Sequence, residues 1–442
     1  MPTTYRPYSP AQQLLLPTSL EEWLPEDHLS YFIADTVDSL DLSSFYERYD
    51  GDGRRRQPFE PSMMVKVLVY AYASGVFSSR KIAKKLEEDV AFRVLAANNF
   101  PAHRTIREFR QRHLPEFSRL FLEVVRLAQE IGLIKLGRLG VDGTKIRANA
   151  SKHKAMSYGR MKDEEKRLQA EITDLLKQAE EADQLEDERY GTDSSGDELP
   201  EELRRRESRL KAIQAAKARL EARQCQADEE SGRWKDDDGN TRGPKGRRCK
   251  RELGVPEDKA QDNFTDPQSR IMKTQEGFQQ CYNAQAAVDE DNQIIVAADL
   301  TNCAADNGEL LPLLDQVETN MKEQPKVVLA DTGYGSEETF QKLEERNLAA
   351  YISLGRENKQ QREADPEEYP ATSRMAERLA SEEGKAHYRR RKAIPEPVFG
   401  WIKQAMGFRQ FTLRGLESVK GEWQLVCLAT NLRRMHRLAQ VS

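Results

Sequence analysis

The stretch Lys326-Val327-Val328-Leu329-Ala330-Asp331-Thr332-Gly333-Tyr334-Gly335-Ser336 constrains the fold of this chain more than any other. The apolar run Val327 to Ala330, two of its residues β-branched, is too short for a helix and reads as a fully buried strand that ends in an acid. Gly333 and Gly335 let the chain turn, and Ser336 is placed to cap a following helix whose first turn carries Glu337 and Glu338. The Asp331 carboxylate then sits at the carboxyl end of a buried strand, the edge of an open α/β sheet where ligands bind. Taken alone, the pattern also fits an aspartate that merely ends a strand.

The theme recurs upstream. Leu139-Gly140-Val141-Asp142-Gly143-Thr144-Lys145-Ile146-Arg147 reads as a short strand with an acid in its middle, and Lys145, Arg147, Lys152 and Lys154 follow closely. Positive charge beside a carboxylate suits a phosphodiester substrate. A third acid, Glu396, stands just before Pro397, a residue that suits the first turn of a helix, so Glu396 belongs at or just before a helix N-terminus. Lys403 falls two turns further along roughly the same face. Carboxylates brought together from separate elements repel unless a cation holds them, and the hard, oxygen-preferring cation that leaves room for phosphate is Mg²⁺. Two such ions, with Mn²⁺ as a substitute, would serve in-line phosphoryl transfer, and Lys403 with the Arg389–Lys392 run would neutralise phosphates.

The order strand with acid, hairpin, helix, strand with acid, helix, strand predicts an α/β fold with a mixed sheet and a long helical insertion after its first strand. The hairpin is formed by Gln279–Val288 and Gln293–Leu300, with solvated acids at Asp289-Glu290-Asp291-Asn292 between them. Four segments are expected: 1–130, a helical N-terminal part; 131–155, the first part of the sheet domain; 156–262, an insertion; and 263–442, the remainder. In the insertion, Leu168, Ile172, Leu175 and Ala179, then Leu203, Leu210, Ile213 and Leu220, recur at helical spacing on either side of the turn-rich Tyr190–Gly196, which predicts a helical hairpin followed by a flexible, polar linker near 236–251. Residues 356–385 read as charged and irregular.

In the N-terminal part, Ser19-Leu20-Glu21-Glu22 reads as a helix start, and Pro61 opens a helix that is apolar on nearly every side from Val65 to Phe77. A basic helix from Ser78 and the arginine-rich Thr105–His113 then suggest a helix-turn-helix that presents Arg107, Arg110 and Arg112 to DNA. An ordinary helical bundle with a solvated basic face fits the same residues, because the turn is longer than usual.

Composition narrows the partners. A chain of 442 residues has ample length for two or three domains, and its 32% charged residues against 7% aromatic imply solvated helix or linker in part. A net charge of −5 argues against wholesale coating by nucleic acid, so any DNA footprint must be local. Five scattered cysteines with no CxxC pair signal neither zinc nor a disulfide framework and suit a reducing cytoplasm. The N-terminus lacks a signal-peptide pattern, and no stretch approaches the ~20 apolar residues that span a bilayer, so no membrane partner is expected.

These residues resemble the bacterial insertion-sequence transposases of the DDE class, in the branch related to the IS4 and IS5 families whose third acid lies in a Tyr-Arg-Glu-Lys signature. That signature runs Tyr, two residues, Arg, three residues, Glu, six residues, Lys; here Tyr388 and Arg391 match its first spacing and Glu396 and Lys403 its last, while four residues separate Arg391 from Glu396. Val141-Asp142-Gly143-Thr144 is similar to the family's first-acid strand, and Asn283-Ala284-Gln285 with Ala330–Tyr334 to its second-acid core. The resemblance implies an RNase H-like catalytic domain, with Asp142, Asp331 and Glu396 as catalytic and metal-binding acids. It also implies an N-terminal all-α DNA-binding domain, Mg²⁺ dependence, recognition of terminal inverted repeats in double-stranded DNA, and a synaptic homodimer. Lys145, Arg147, Tyr388, Arg391 and Lys403 are expected to contact DNA, and Tyr334 and Trp401 either to stack on a base or to pack in the core. Two other readings stay open: a structure-specific endonuclease of the same fold, and a non-catalytic DNA-binding regulator.

Overall fold

A computed structural model describes residues 19–49, 57–190, 201–236, 239–244, 246–355 and 365–440. The extreme N-terminus and the turn-rich Gly191–Gly196 lie outside them. Seven helices come first: α1 (Leu29–Asp38), α2 (Ser43–Tyr46), α3 (Pro61–Ala73), α4 (Ser79–Glu88), α5 (Val90–Leu95), α6 (His103–Arg112) and α7 (Leu114–Glu130). Pro61 supplies the fixed φ that starts α3, which is buried along almost its whole length, as its all-round apolar pattern requires. Ser19 opens only a single 3-10 turn, Leu20–Trp23. Between the two basic helices α4 and α6 the chain inserts α5, whose first turn is capped by Asp89.

Next come β1 (Arg138–Arg147) and β2 (Ala155–Ser157), followed by the long α8 (Tyr158–Tyr190) and α9 (Glu201–Glu230). These two helices pack together around Tyr158, Met161, Leu168, Ile213, Ala216 and Leu220, a small core of their own. The segment expected to be a flexible linker is instead tied down. It forms the hairpin β3 (Trp234–Lys235) and β4 (Thr241–Arg242), then β5 (Gln261–Asn263), which pairs with β2. Two buried acids explain the difference: Asp228 on α9 gathers Arg233, Arg251 and the Gly254 N–H, and Asp262 gathers Arg219 and Arg223. Buried carboxylates require such partners.

The remaining elements are β6 (Arg270–Thr274), β7 (Gly277–Asp289), β8 (Ile295–Thr301), α10 (Leu310–Met321), β9 (Val327–Ala330), α11 (Glu337–Glu345), β10 (Ala349–Ile352), α12 (Pro370–Ala380), α13 (Glu382–Arg389), α14 (Pro395–Gly400) and α15 (Leu416–Ala439). The stretch read as charged and irregular thus holds α12 and α13, because Pro370 and Ser381 start helices whose outer faces carry the charge. The main sheet runs β10-β9-β1-β7-β6, and β8 pairs with the free part of β7. β1 is parallel to β9 and antiparallel to β7, so the sheet is mixed, in keeping with an RNase H-like architecture.

One hydrophobic core runs from Ile33 in α1 through the sheet to Met435 in α15. Helix α15 locks the layers together: the Trp423 indole N–H donates to the Gln285 carbonyl of β7 at 3.0 Å, and Asn431 exchanges two hydrogen bonds with the Ile295 backbone of β8. Among the described residues no helix is long and apolar enough to cross a membrane.

The hairpin acids are not uniformly solvated. Asp289 is fully buried, its carboxylate accepting from the Leu136 N–H at 3.0 Å, while Glu290 bridges Arg138 and Arg390. Burial pushes the Asp289 carboxyl up to about 6. A raised folded-state value means that its contribution to stability is complete below the unfolded carboxylate range and is lost as pH rises through about 6. Asp289→Asn is therefore expected to remove the rise in urea midpoint that this carboxyl contributes between pH 7 and pH 5, and urea titrations of parent and variant across that window measure it.

Candidate active site

The strand pairing that builds the sheet also gathers the acids. β1 and β9 run parallel with Gly140 beside Leu329, and carrying that register two residues on sets Asp142 level with Asp331 at the carboxyl end of β9. Asp331 caps the single 3-10 turn that follows, its side chain accepting from the Gly333 N–H at 2.8 Å, and Ser336 caps α11 by accepting from the Thr339 N–H. Asp142 folds back onto its own strand to accept from the Gly143 N–H at 2.8 Å. Burial pushes the Asp142 carboxyl up to about 6, and the negative charges of Asp331 and Asp306 add to the rise, against the Gly143 hydrogen bond and the Arg391 guanidinium.

Glu396 arrives from the other side. It is exposed in the first turn of α14, and that turn is seated on β1 so closely that a Cβ at Gly140 would lie 2.8 Å from both Ile394 and Pro395. The helix continues as a π-turn, Trp401–Ala405, from which the Lys403 ammonium donates to Thr144 Oγ1 at 2.5 Å and to the Lys145 carbonyl at 3.1 Å. Gly140, Asp142 and Thr144 share one side of β1 by the twofold alternation of a strand. The helix whose first turn carries Glu396 is thus anchored on β1 on both sides of Asp142. Lys403 is half-buried and serves as one of those anchors, with its ammonium committed to β1 and its pKa lowered by burial. Arg391 lies buried against the Tyr388 ring, 5.7 Å from its centroid, and its charge acts on Asp142. A turn between α13 and α14 carries Arg391 and leads into the helix that holds Glu396.

Asp306 was missed from sequence and sits at the same place. Its carboxylate accepts from Asn283 Nδ2 at 2.6 Å, Gln285 Nε2 at 2.8 Å and Lys145 Nζ at 3.3 Å, and Tyr334 hydrogen-bonds the other end of the Gln285 amide. A Cβ placed on Gly333 would lie 3.0 Å from Asp331 Oδ1 and 3.2 Å from Asp306 Oδ2, so the two carboxylates flank that glycine. Gly143 is equally confined: a Cβ there would come within 2.4 Å of Gln285 Nε2 and 2.8 Å of Asp306 Oδ1. Gly143→Ala is expected to displace this network while leaving the far-UV spectrum unchanged. The Asn283 side-chain amide oxygen, buried at this spot, has no hydrogen-bond partner among the described residues.

Two expected contacts with DNA, those of Arg110 and Arg391, are corrected. Arg110 is buried, donating to Tyr72 Oη at 2.9 Å and the Phe77 carbonyl at 2.8 Å, whereas Arg107 and Arg112 on the same helix are exposed. Arg110 is drawn inward by Glu422 of α15, which accepts from Tyr72 and from the backbone of Thr412 and Leu413. Arg391 faces Asp142 from a buried position, and Lys403 faces β1. Tyr334 is fully buried, which removes it as a stacking surface, and Trp401 is covered by Arg434 at 4.9 Å. Lys145, Arg147 and Lys403 do line one cavity of about 560 Å³, with Lys273 and Arg409.

Oxygen donors of this kind suit Mg²⁺, and Asp142 and Asp331 fit one as a like-charged pair whose repulsion a cation would relieve. As they stand, no three His, Cys, Asp or Glu side chains among the described residues are grouped to hold an ion.

Residues 247–432 match the family described as the transposase DDE domain, and residues 18–112 match a second transposase domain family, DUF772. The first match contains Asp331 and Glu396 and begins after Asp142; the second covers α1 to α6. Together they support a DDE-type insertion-sequence transposase. No curated protein and no solved structure matches the chain.

Proposed function

We propose that this chain is a DNA transposase that binds the terminal inverted repeats of an insertion sequence, cleaves its ends and joins them to target DNA, acting as a homodimer in the synaptic complex. The transposase matches at both ends of the chain support it, and the observation that carries it is the levelling of Asp142 with Asp331 beneath the helix whose first turn carries Glu396.

In this reading Asp142, Asp331 and Glu396 hold two Mg²⁺ ions, for which Mn²⁺ substitutes. When bound, the ions supply electrostatic stabilisation of the attacking and leaving oxygens of an in-line displacement. The chain's own residues do the rest. The Gly143 N–H and Arg391 offset part of the burial that raises the Asp142 carboxyl, Lys403 fixes the seat of α14 on β1, and Asp306 holds Lys145 beside the acids. Glu396 turns inward from its exposed position to complete the set. Arg147 and the exposed Arg107 and Arg112 meet phosphates. Segment 1–130 is the DNA-binding domain and 156–262 an insertion into an RNase H-like catalytic domain. The protein works in the cytoplasm, on the nucleoid when bound to DNA.

Cleavage of inverted-repeat DNA in Mg²⁺ tests the reading. Metal-dependent nicking at the element's ends is the expected result. A salt-sensitive gel shift without cleavage in any divalent metal would instead make the chain a non-catalytic regulator.

A further inference from the structure

Strand β7 outruns its neighbour. Its pairing with β1 ends at Arg147 and Cys281, and the Ala148 N–H donates to the Gln280 carbonyl just beyond, so Gly277–Gln279 pair only with β6, and the two strands form a ribbon that extends past the sheet. On that ribbon Phe278 stands directly across from Lys273 and is 65% exposed, more than any other large apolar side chain among the described residues. A single exposed aromatic is ordinary by itself; what sets Phe278 apart is its place on the ribbon, across from Lys273 and beside the cationic cavity that Lys273 lines.

Charge surrounds it unevenly for a chain with a net charge of −5. On one side is the cavity of about 560 Å³ lined by Lys145, Arg147, Lys273, Lys403 and Arg409. Beside Phe278 a second, of about 480 Å³, is lined by Lys152 and His153. Beyond the base of the ribbon a third, of about 950 Å³, carries Lys250 and Arg270 beside Arg233 and Arg251, which pair with Asp228, and Lys259, which pairs with Glu257. At the ribbon's tip Glu276 lies 3.5 Å from Arg147, in the position a phosphate would take. Arg147 lies five strand rises beyond Asp142, a span of ~17 Å, which equals about five nucleotides of one strand.

We propose that this ribbon is a stacking platform for an unpaired base of the DNA strand that leaves the acids. Phe278 stacks on the base, Lys273 and Arg147 hold the flanking phosphates, and Glu276 gives up Arg147 as the strand arrives. An aromatic face rimmed by cations is the arrangement that takes single-stranded nucleic acid without reading its sequence. The inference rests on the transposase reading and adds to it the state of the strand bound.

The test uses the full chain, without divalent metal, and a duplex whose strand continues as a short single-stranded extension with 2-aminopurine at successive positions. Quenching of the fluorophore at one position several nucleotides from the junction is expected. Phe278→Ala should abolish the quench and weaken binding of the extended DNA about tenfold while blunt duplex binds as before, and Phe278→Trp should restore both. Lys273→Gln should lower the salt slope by about one. Because Phe278 is exposed, neither variant should alter thermal melting. Unchanged quenching in Phe278→Ala overturns the platform while leaving the transposase reading intact, as does conversion of a dimer to a monomer by that variant with DNA binding unaffected. Failure of the parent protein to bind any DNA overturns both.

Discussion

Asp331→Asn is expected to lower metal-dependent nicking of inverted-repeat DNA by on the order of 10³-fold or more, the scale on which removal of one essential polar group acts in an active site. Binding of the same DNA should be unchanged or slightly tighter, since the substitution removes a negative charge near the path of the phosphates. The amide keeps the oxygen that accepts from the Gly333 N–H, so the turn after β9 and the cap of α11 should survive. Asp142→Asn should act in the same way. Asp306→Asn should act more weakly: an amide oxygen still accepts from Asn283 and Gln285, but the ion pair with Lys145 is gone. Gel shifts beside single-turnover cleavage separate these outcomes, and undiminished nicking by the Asp331 variant rules the assignment out.

The largest effect on stability is expected far from the acids, at Glu422. This carboxylate is fully buried and accepts from Tyr72 Oη at 2.8 Å and from the backbone N–H groups of Thr412 and Leu413 at 2.9 and 3.0 Å; Tyr72 in turn accepts from Arg110. It ties α3 and α6 to α15 and to the chain that leaves the Lys403 turn. Removing one member of a buried, hydrogen-bonded charge network leaves the other uncompensated, a loss of about 3–5 kcal/mol. Glu422→Ala should therefore lower the urea midpoint sharply and leave Arg110 as a buried, unpaired charge. The double variant Glu422→Leu, Arg110→Met should recover the part of the loss that comes from the uncompensated Arg110 charge, while Tyr72 Oη and the Thr412 and Leu413 N–H groups still lack the acceptor that Glu422 supplied. Equal stability of the single and double variants would show that the two groups are not coupled.

How far the sequence could be read depended on whether the signal was local. The strands around Asp142 and Asp331 were legible because a short apolar run followed by glycines has few other readings, and once both were parallel neighbours in one sheet their acids had to meet. The helix from Ser336 and the seat of Glu396 near a helix start followed from capping residues and proline. Asp306 was not legible. It lies in the loop between β8 and α10, where no periodicity marks it, and only the fold brings Asn283, Gln285 and Lys145 to it. Arg110 was misread for a related reason. On its own helix it looks like one more outward arginine, and the partners that bury it come from residues 72 and 422. Asp289 was misread because a turn rich in acids suggests water, whereas the backbone of Leu136 needed an acceptor. The ordered segment after α9 escaped for the same cause: polar composition hid two buried acids whose arginine partners lie along that helix and beyond it.

The central claim is that Asp142, Asp331 and Glu396 share divalent ions, and the most direct measurement replaces Mg²⁺ with Fe²⁺ and maps where hydroxyl radicals generated at the bound iron cut the polypeptide. The account expects three clusters of cuts, at β1 near residue 142, after β9 near residue 331 and at the start of α14 near residue 396, all suppressed by excess Mg²⁺ and by Asp142→Asn. Cuts confined to other parts of the chain, or a pattern near 142 and 331 that never includes 396 even with DNA bound, would contradict it.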